Sequence, residues 1–319
     1  MPPSLTDPAE LLRRWRLPVV TLADVAAASA RFPLKVSDHL AGRLAELGAE
    51  DPLVRQFLPS ADELTERTGF VSDPVGDTNV QRASGLLQKY RGRALVIATA
   101  ACPVHCRYCF RREYPYADAS AVNHWPAVLD ALRGDPSIHE VILSGGDPLS
   151  LSNTVLARMV RDLEDIPALT RLRIHTRFPT TAPDRIDAEL CALLGGTRFA
   201  PVVVVLHVNH ASELDPAASV AVARLRATGA VLLSQSVLLR GVNDSEEVLA
   251  ALSEALGARG VVPYYLHVLD RVRGAAHFEV PEAEAVALVR ALTLRLPGYL
   301  VPKLVREIIG EGAKTAITG

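Results

Sequence analysis

The chain has 319 residues, 49% of them hydrophobic, which is enough to bury one large core or a core with a small appendage. Its formal net charge of -2 offers no basic excess, so nucleic acid is excluded as the main partner. The longest apolar run, residues 201–206, is far too short to span a membrane, and no basic stretch leads into an apolar one at the start, so a cytoplasmic protein with no membrane partner is expected.

Taken in chain order, residues 8–15 and 37–47 read as helices, separated by Arg31-Phe32-Pro33 and followed by a Pro- and Asp-containing loop over 59–75. These place an N-terminal helical extension at 1–88, in which nothing looks catalytic. From Arg93 onward the pattern changes: β-branched runs at 94–98, 140–143, 172–175, 202–206, 231–237 and 261–266 read as six strands. Helical patterns lie between them at 125–133, 154–163, 217–228 and 246–256, the last opened by Asn243-Asp244-Ser245 and closed by Gly257. Strand followed by helix, repeated, implies parallel strands with crossover helices. Six units are too few to close an eight-stranded barrel. The expected fold is therefore α/β, a partial (βα)6 TIM-type barrel over 89–319 with its chemistry at the C-terminal strand ends.

Three of the four cysteines fall in one loop after the first strand, Cys102-Pro-Val-His-Cys106-Arg-Tyr-Cys109. Three thiolates can hold three irons of a cubane cluster and leave the fourth open to a ligand. The same loop could bind zinc with His105 or a distant residue as fourth ligand. Cys191, in a helical stretch, reads as a small buried apolar residue.

Other residues carry candidate chemistry. Ser144-Gly145-Gly146-Asp147 follows the second strand, where two glycines let the backbone approach a ligand closely or simply make a turn. Lys89 and Arg93, four apart, could meet a phosphate or face solvent as a pair of charges. His207 and His210 follow the fourth strand and are expected to line the pocket. Lys314 stands in a glycine-containing tail, five residues before the end, and without further context is a solvated charge.

The CxxxCxxC spacing with Tyr108 before the last cysteine resembles the radical S-adenosylmethionine superfamily. The runs Asp51 to Gln56, Leu87 to Arg93, Cys106 to Arg112, Leu143 to Leu149, Gln235 to Leu239 and Pro263 to Asp270 resemble the lysine 2,3-aminomutase family. The resemblance is strongest to its shorter bacterial branch, which makes (R)-β-lysine for modification of translation elongation factor P. It implies an isomerase that converts L-α-lysine to β-lysine by a 5'-deoxyadenosyl radical mechanism.

Three cofactors are implied as well. A 4Fe-4S cluster would sit on Cys102, Cys106 and Cys109, and S-adenosyl-L-methionine against Tyr108, Ser144, Gly145, Gly146 and Asp147. Pyridoxal 5'-phosphate would be carried by Lys314, with Lys303 a weaker rival and Lys89, Arg93, Arg177, His207 and Gln235 around the cofactors. Arg111 would take the carboxylate of the substrate L-lysine, and Asp270 with Glu307 its ε-ammonium; Glu307 stands where the free-lysine enzymes have aspartate. Implied partners are an electron donor such as flavodoxin or ferredoxin, and functionally an elongation factor P lysyl-ligase and elongation factor P. The competing expectations are a metabolic 2,3-aminomutase for free lysine or another cationic amino acid, and a zinc-binding protein without enzymatic activity.

Overall fold

A computed structural model of the chain describes residues 3–17 and 21–318. The N-terminal part is built from helices Pro8–Trp15, Leu22–Arg31, Asp38–Leu44 and Pro52–Arg55. Each starts where a short polar side chain can accept a backbone N–H: Asp7, Thr21, Ser37 and Asp51 are the caps. The helix expected over 37–47 is thus shorter, with Ser37 as its cap. Strand β1 (Ser4–Leu5) pairs antiparallel with β2 (Val36–Ser37) and ties the start of the chain down. Leu11, Trp15, Val25, Leu40 and Phe57 form a core of their own, into which Val104 of the cysteine loop is buried. The extension therefore grips the loop that carries the candidate metal ligands.

Among the described residues the main sheet has ten strands. Strands β3 (Gln81–Ala83) and β4 (Leu86–Leu87) begin it, so the sheet reaches across the boundary expected at residue 88. The six expected strands follow as β5 (Arg93–Thr99), β6 (Glu140–Gly145), β7 (Arg171–Thr176), β8 (Val203–His207), β9 (Val231–Val237) and β10 (Val262–His267), all mutually parallel. A seventh parallel strand, β11 (Lys303–Arg306), extends the expected six, and β12 (Thr315–Ala316) returns antiparallel to it. β11 is four residues long and enters from Pro302, too short to show alternation in the sequence. The order runs linearly from β12 to β3, so the barrel is open. Short antiparallel strands finish both edges.

Crossover helices cover the outside. Asn153–Glu164 is typical: Ser152 caps it, and Leu156, Met159, Val160 and Leu163 form the apolar stripe that packs on the strands. Because strand side chains alternate, Leu172 and Ile174 of β7 face those helices while Arg173 and His175 face inward. The same alternation turns Gln235 and Val237 of β9 into the interior. A barrel of seven strands thus has a packed outer layer and a polar inner one.

Backbone hydrogen bonds fasten the end of β6 to the cysteine segment. Gly146 N donates to Thr99 O and Asp147 N to Ala101 O, both at 2.8 Å. A Cβ on Gly146 would lie 2.4 Å from Ala101 O, and Gly145, at φ +120°, would bring one within 2.7 Å of Thr99 O. The glycines are needed so that two pieces of backbone can meet. Gly146→Ala should cost about 1–3 kcal/mol of stability through overpacking, read as a lowered midpoint in chemical denaturation.

Candidate active site

Cys102, Cys106 and Cys109 are free thiols on the wall of a cavity of about 280 Å³ that runs inside the barrel from Arg93, at the start of β5, to the C-terminal strand ends. Their loop is held by the N-terminal extension: His105 N donates to Lys35 O at 2.8 Å and Arg107 N to Gln56 O at 2.9 Å. Arg107 is fully buried and bidentate on Glu63, at 2.8 and 2.7 Å, and Arg112 reaches the same carboxylate at 2.6 Å. Both guanidinium groups lie over the Phe32 ring, at 4.7 and 4.5 Å. His105 stacks on Phe32 and bonds Pro33 O through Nδ1 at 2.8 Å, which ties its ring to the extension through that nitrogen. Among the described residues no group of three or more His, Cys, Asp or Glu side chains is arranged to hold a single metal ion.

Across the cavity runs a line of alternating charges. Arg111 Nε donates to Asp77 Oδ2 at 2.7 Å; Lys89 Nζ meets Asp77 Oδ1 at 2.7 Å and Glu307 Oε1 at 3.0 Å; Lys314 Nζ meets Glu307 Oε2 at 2.7 Å. All five residues line the cavity, as do Arg93, Asp270, Gln235 and the three cysteines. Lys314 and the cysteine loop, far apart in sequence, therefore open onto one chamber.

Residues 96–255 match the family model of the radical SAM superfamily. The L-lysine 2,3-aminomutases of Haemophilus influenzae and Escherichia coli K12 are 43% and 44% identical to the chain, over 98% of it and 92% of each relative. That of Clostridium subterminale is 33% identical over 84% of this chain and 64% of its own length. The chain belongs to the lysine 2,3-aminomutase family. A radical SAM methyltransferase from Sphaerobacter thermophilus, at 20% identity, shares the fold with a TM-score of 0.50 over 69% of this chain and 68% of that one.

Membership brings a 4Fe-4S cluster, S-adenosylmethionine and pyridoxal phosphate as cofactors, and the residues present fit them. Burial and the neighbouring Asp147, Cys109 and Cys106 push the Cys102 thiol well above its ordinary range; burial and Cys106 push Cys109 up to about 11. Thiols crowded in this way gain by giving their charge to metal. Arg93 Nε is buried without a hydrogen-bond partner, and its guanidinium lies 4.5 Å from the Tyr90 ring, an open cation suited to a phosphate. Lys89 differs. Its ammonium already serves Asp77, Glu307 and Val75 O (2.7 Å), so its three donors belong to the charge row.

The remaining candidates separate by their contacts. Tyr108 is buried, with its hydroxyl 2.8 Å from His207 Nε2 and 2.7 Å from Asn209 Nδ2. Asp147 takes Arg177 N at 2.7 Å, Thr176 Oγ1 at 2.9 Å and Leu149 N at 3.1 Å, so its contacts lie within its own turn and β7; burial lifts it to about 6. Ser144 Oγ is 3.4 Å from Arg111 Nη1. Arg177 is buried against Cys106 and Tyr108. His210, expected in the pocket, instead bonds Ser212 through Nδ1 at the start of a short surface turn. Lys303 is exposed on β11, outside the cavity.

Several lining residues have no counterpart among the sequence candidates. Asp77 comes from the extension in which nothing looked catalytic, and Tyr116 bonds Gly145 O at 2.9 Å. His175 and His267, one inward position on β7 and one on β10, join His207; burial, reinforced by the nearby cations Arg173, Arg177 and Lys314, keeps all three imidazoles neutral. Only the period-two alternation of the strands could have pointed to the two histidines.

The carboxylates are tuned apart. Burial would raise Glu307, but Lys314 and Lys89 outweigh it and hold the acid at about 2, and Arg111 and Lys89 likewise overcome burial at Asp77. Among the described residues Asp270 has no such ion pair, and burial lifts it to about 7 against the pull of Lys314. An acid raised above its unfolded value lowers stability as pH climbs from the unfolded to the folded pKa, here from about 4 to about 7. Asp270→Asn should therefore stabilise the cofactor-free protein at pH 8, by no more than about 4 kcal/mol, with the gain shrinking toward pH 4 in thermal unfolding.

Proposed function

We propose that the protein is an L-lysine 2,3-aminomutase that converts L-α-lysine to β-lysine by moving the amino group from C2 to C3. The observation that carries this reading is the meeting of Lys314, two acidic residues and three cysteines on one chamber. When bound, the reduced cluster with S-adenosylmethionine supplies a 5'-deoxyadenosyl radical, and pyridoxal phosphate supplies the carbonyl through which the amino group travels.

The chain's own residues would then divide the work. Arg111, fixed through Nε by Asp77, lines the cavity, where its guanidinium would hold a substrate carboxylate. At the other end Asp270 and Glu307 favour an ammonium, which suits a cationic amino acid and opposes glutamate. Glu307 holds Lys314 in the structure, so leaving Lys314 frees one carboxylate oxygen for the substrate ammonium. Lys314 is the residue proposed to carry pyridoxal phosphate, and Arg93 to hold its phosphate. The neutral His175 and His207 line the chamber without adding charge that would compete for the substrate.

The destination of the product rests on the resemblance to the shorter bacterial branch. In this reading β-lysine passes to a lysyl-ligase and on to elongation factor P, in the cytoplasm, with flavodoxin or ferredoxin as electron donor. Among the described residues no helix is long and apolar enough to cross a membrane.

Anaerobically reconstituted protein, incubated with lysine, pyridoxal phosphate, S-adenosylmethionine and dithionite, should form β-lysine detectable by mass spectrometry, and Lys314→Ala should form none. Cofactor cleavage without an amino shift on lysine, arginine or ornithine would refute the assignment.

A further inference from the structure

Arg177 stands just past β7 with only 6% of its surface exposed. Its Nη1 lies 2.7 Å from Cys106 Sγ and also bonds the Tyr108 hydroxyl. Nη2 donates to Gln56 Oε1 at 2.6 Å and to Glu213 Oε2 at 2.9 Å. The planar cation is stacked between rings, 4.7 Å from Phe57 and 5.6 Å from Tyr108. Glu213 is the carboxylate it is paired with, and the other oxygen of Glu213 accepts Asn209 N at 2.8 Å and His210 N at 3.0 Å. The guanidinium is thus fixed from both sides, with one edge on a candidate cluster sulfur.

We propose that Arg177 sets the reduction potential of the cluster by holding a permanent positive charge and an N–H donor against the Cys106 sulfur. The inference rests on the reading of Cys102, Cys106 and Cys109 as cluster ligands. Reduction adds one negative charge to the cluster and its thiolates. A buried cation stabilises that charge more than it stabilises the oxidised form, and hydrogen bonds to sulfur act in the same direction. In a poorly solvated site the effect is screened little. Arginine does not lose its proton in proteins, so the charge is constant across the working pH range.

Glu213 opposes this effect. It compensates part of the guanidinium charge, so removing the carboxylate should leave the cluster facing a stronger positive field. The two residues form one ion pair yet are expected to move the potential in opposite directions. A structural contribution alone predicts no such difference in sign. Arg177 acts through Cys106 and is a positioning residue rather than a catalytic one.

The test uses the full chain reconstituted with iron and sulfide, without S-adenosylmethionine, and reads the midpoint potential by EPR-monitored redox titration. Arg177→Gln should shift the potential negative by at least a tenfold change in the reduction equilibrium, which is 59 mV for one electron. Arg177→Lys should restore most of the shift, and Glu213→Gln should move the potential positive. Iron and sulfide content is measured first, because failure of the wild type to hold a cluster defeats the ligand reading itself. Given a wild-type cluster, an unchanged potential in Arg177→Gln with weakened S-adenosylmethionine binding would overturn the proposal and assign Arg177 to that cofactor. Should Arg177→Gln fail to fold, Glu213→Gln decides: a potential equal to wild type, or shifted negative, overturns it.

Discussion

Two carboxylates, the buried Asp77 and the half-buried Glu307, hold three cations in a row, and the arrangement of the cavity depends on that alternation. Arg111, Lys89 and Lys314 would repel one another if left side by side out of water, and each carboxylate is placed between two of them. A buried charge is tolerated only when it is paired. The five residues come from the extension, the strand entrance, the cysteine loop and the tail. Pairing them fixes those segments against one another, and so fixes the tail lysine over the same chamber as the thiols.

The partial barrel makes this necessary. Seven parallel strands leave the sheet open, with β3 and β12 as its edges, so strand pairing alone does not hold the two ends of the chain together. The N-terminal extension supplies much of the missing wall. Glu63 receives Arg107 and Arg112, Gln56 reaches Arg177, and Asp77 reaches Arg111 and Lys89. The contacts to Arg107, Arg111, Arg112 and Arg177 land on or beside the loop that bears the cysteines, and the one to Lys89 lies at the strand entrance. The extension is therefore part of the site, and the boundary between the two segments is one of sequence pattern more than of structure.

Much of this was legible in the amino acids, for definable reasons. The six long strands carry β-branched runs, and all six lie within a residue or two of where alternation places them. The cysteine spacing and the Ser144 to Asp147 turn are local, so their meaning survives without coordinates. The seventh strand was too short to show a period. Asp77 was hidden because its partners Lys89 and Arg111 lie 12 and 34 residues away, and a single acid in a loop carries no pattern. Lys89 and Arg93 looked equivalent in the sequence, yet one is saturated by carboxylates while the other keeps a free buried donor. His207 and His210 were both expected near the pocket, with His207 favoured, and strand alternation turns His207 inward while His210 lies past the strand end.

A double-mutant cycle on unfolding free energy reaches the charge row most directly. Asp77→Asn and Glu307→Gln share Lys89 as a partner, so their effects should fail to add by roughly 0.5–3 kcal/mol. Effects that add within about 0.5 kcal/mol would mean the two carboxylates act independently, and the row would not be the constraint that assembles the site.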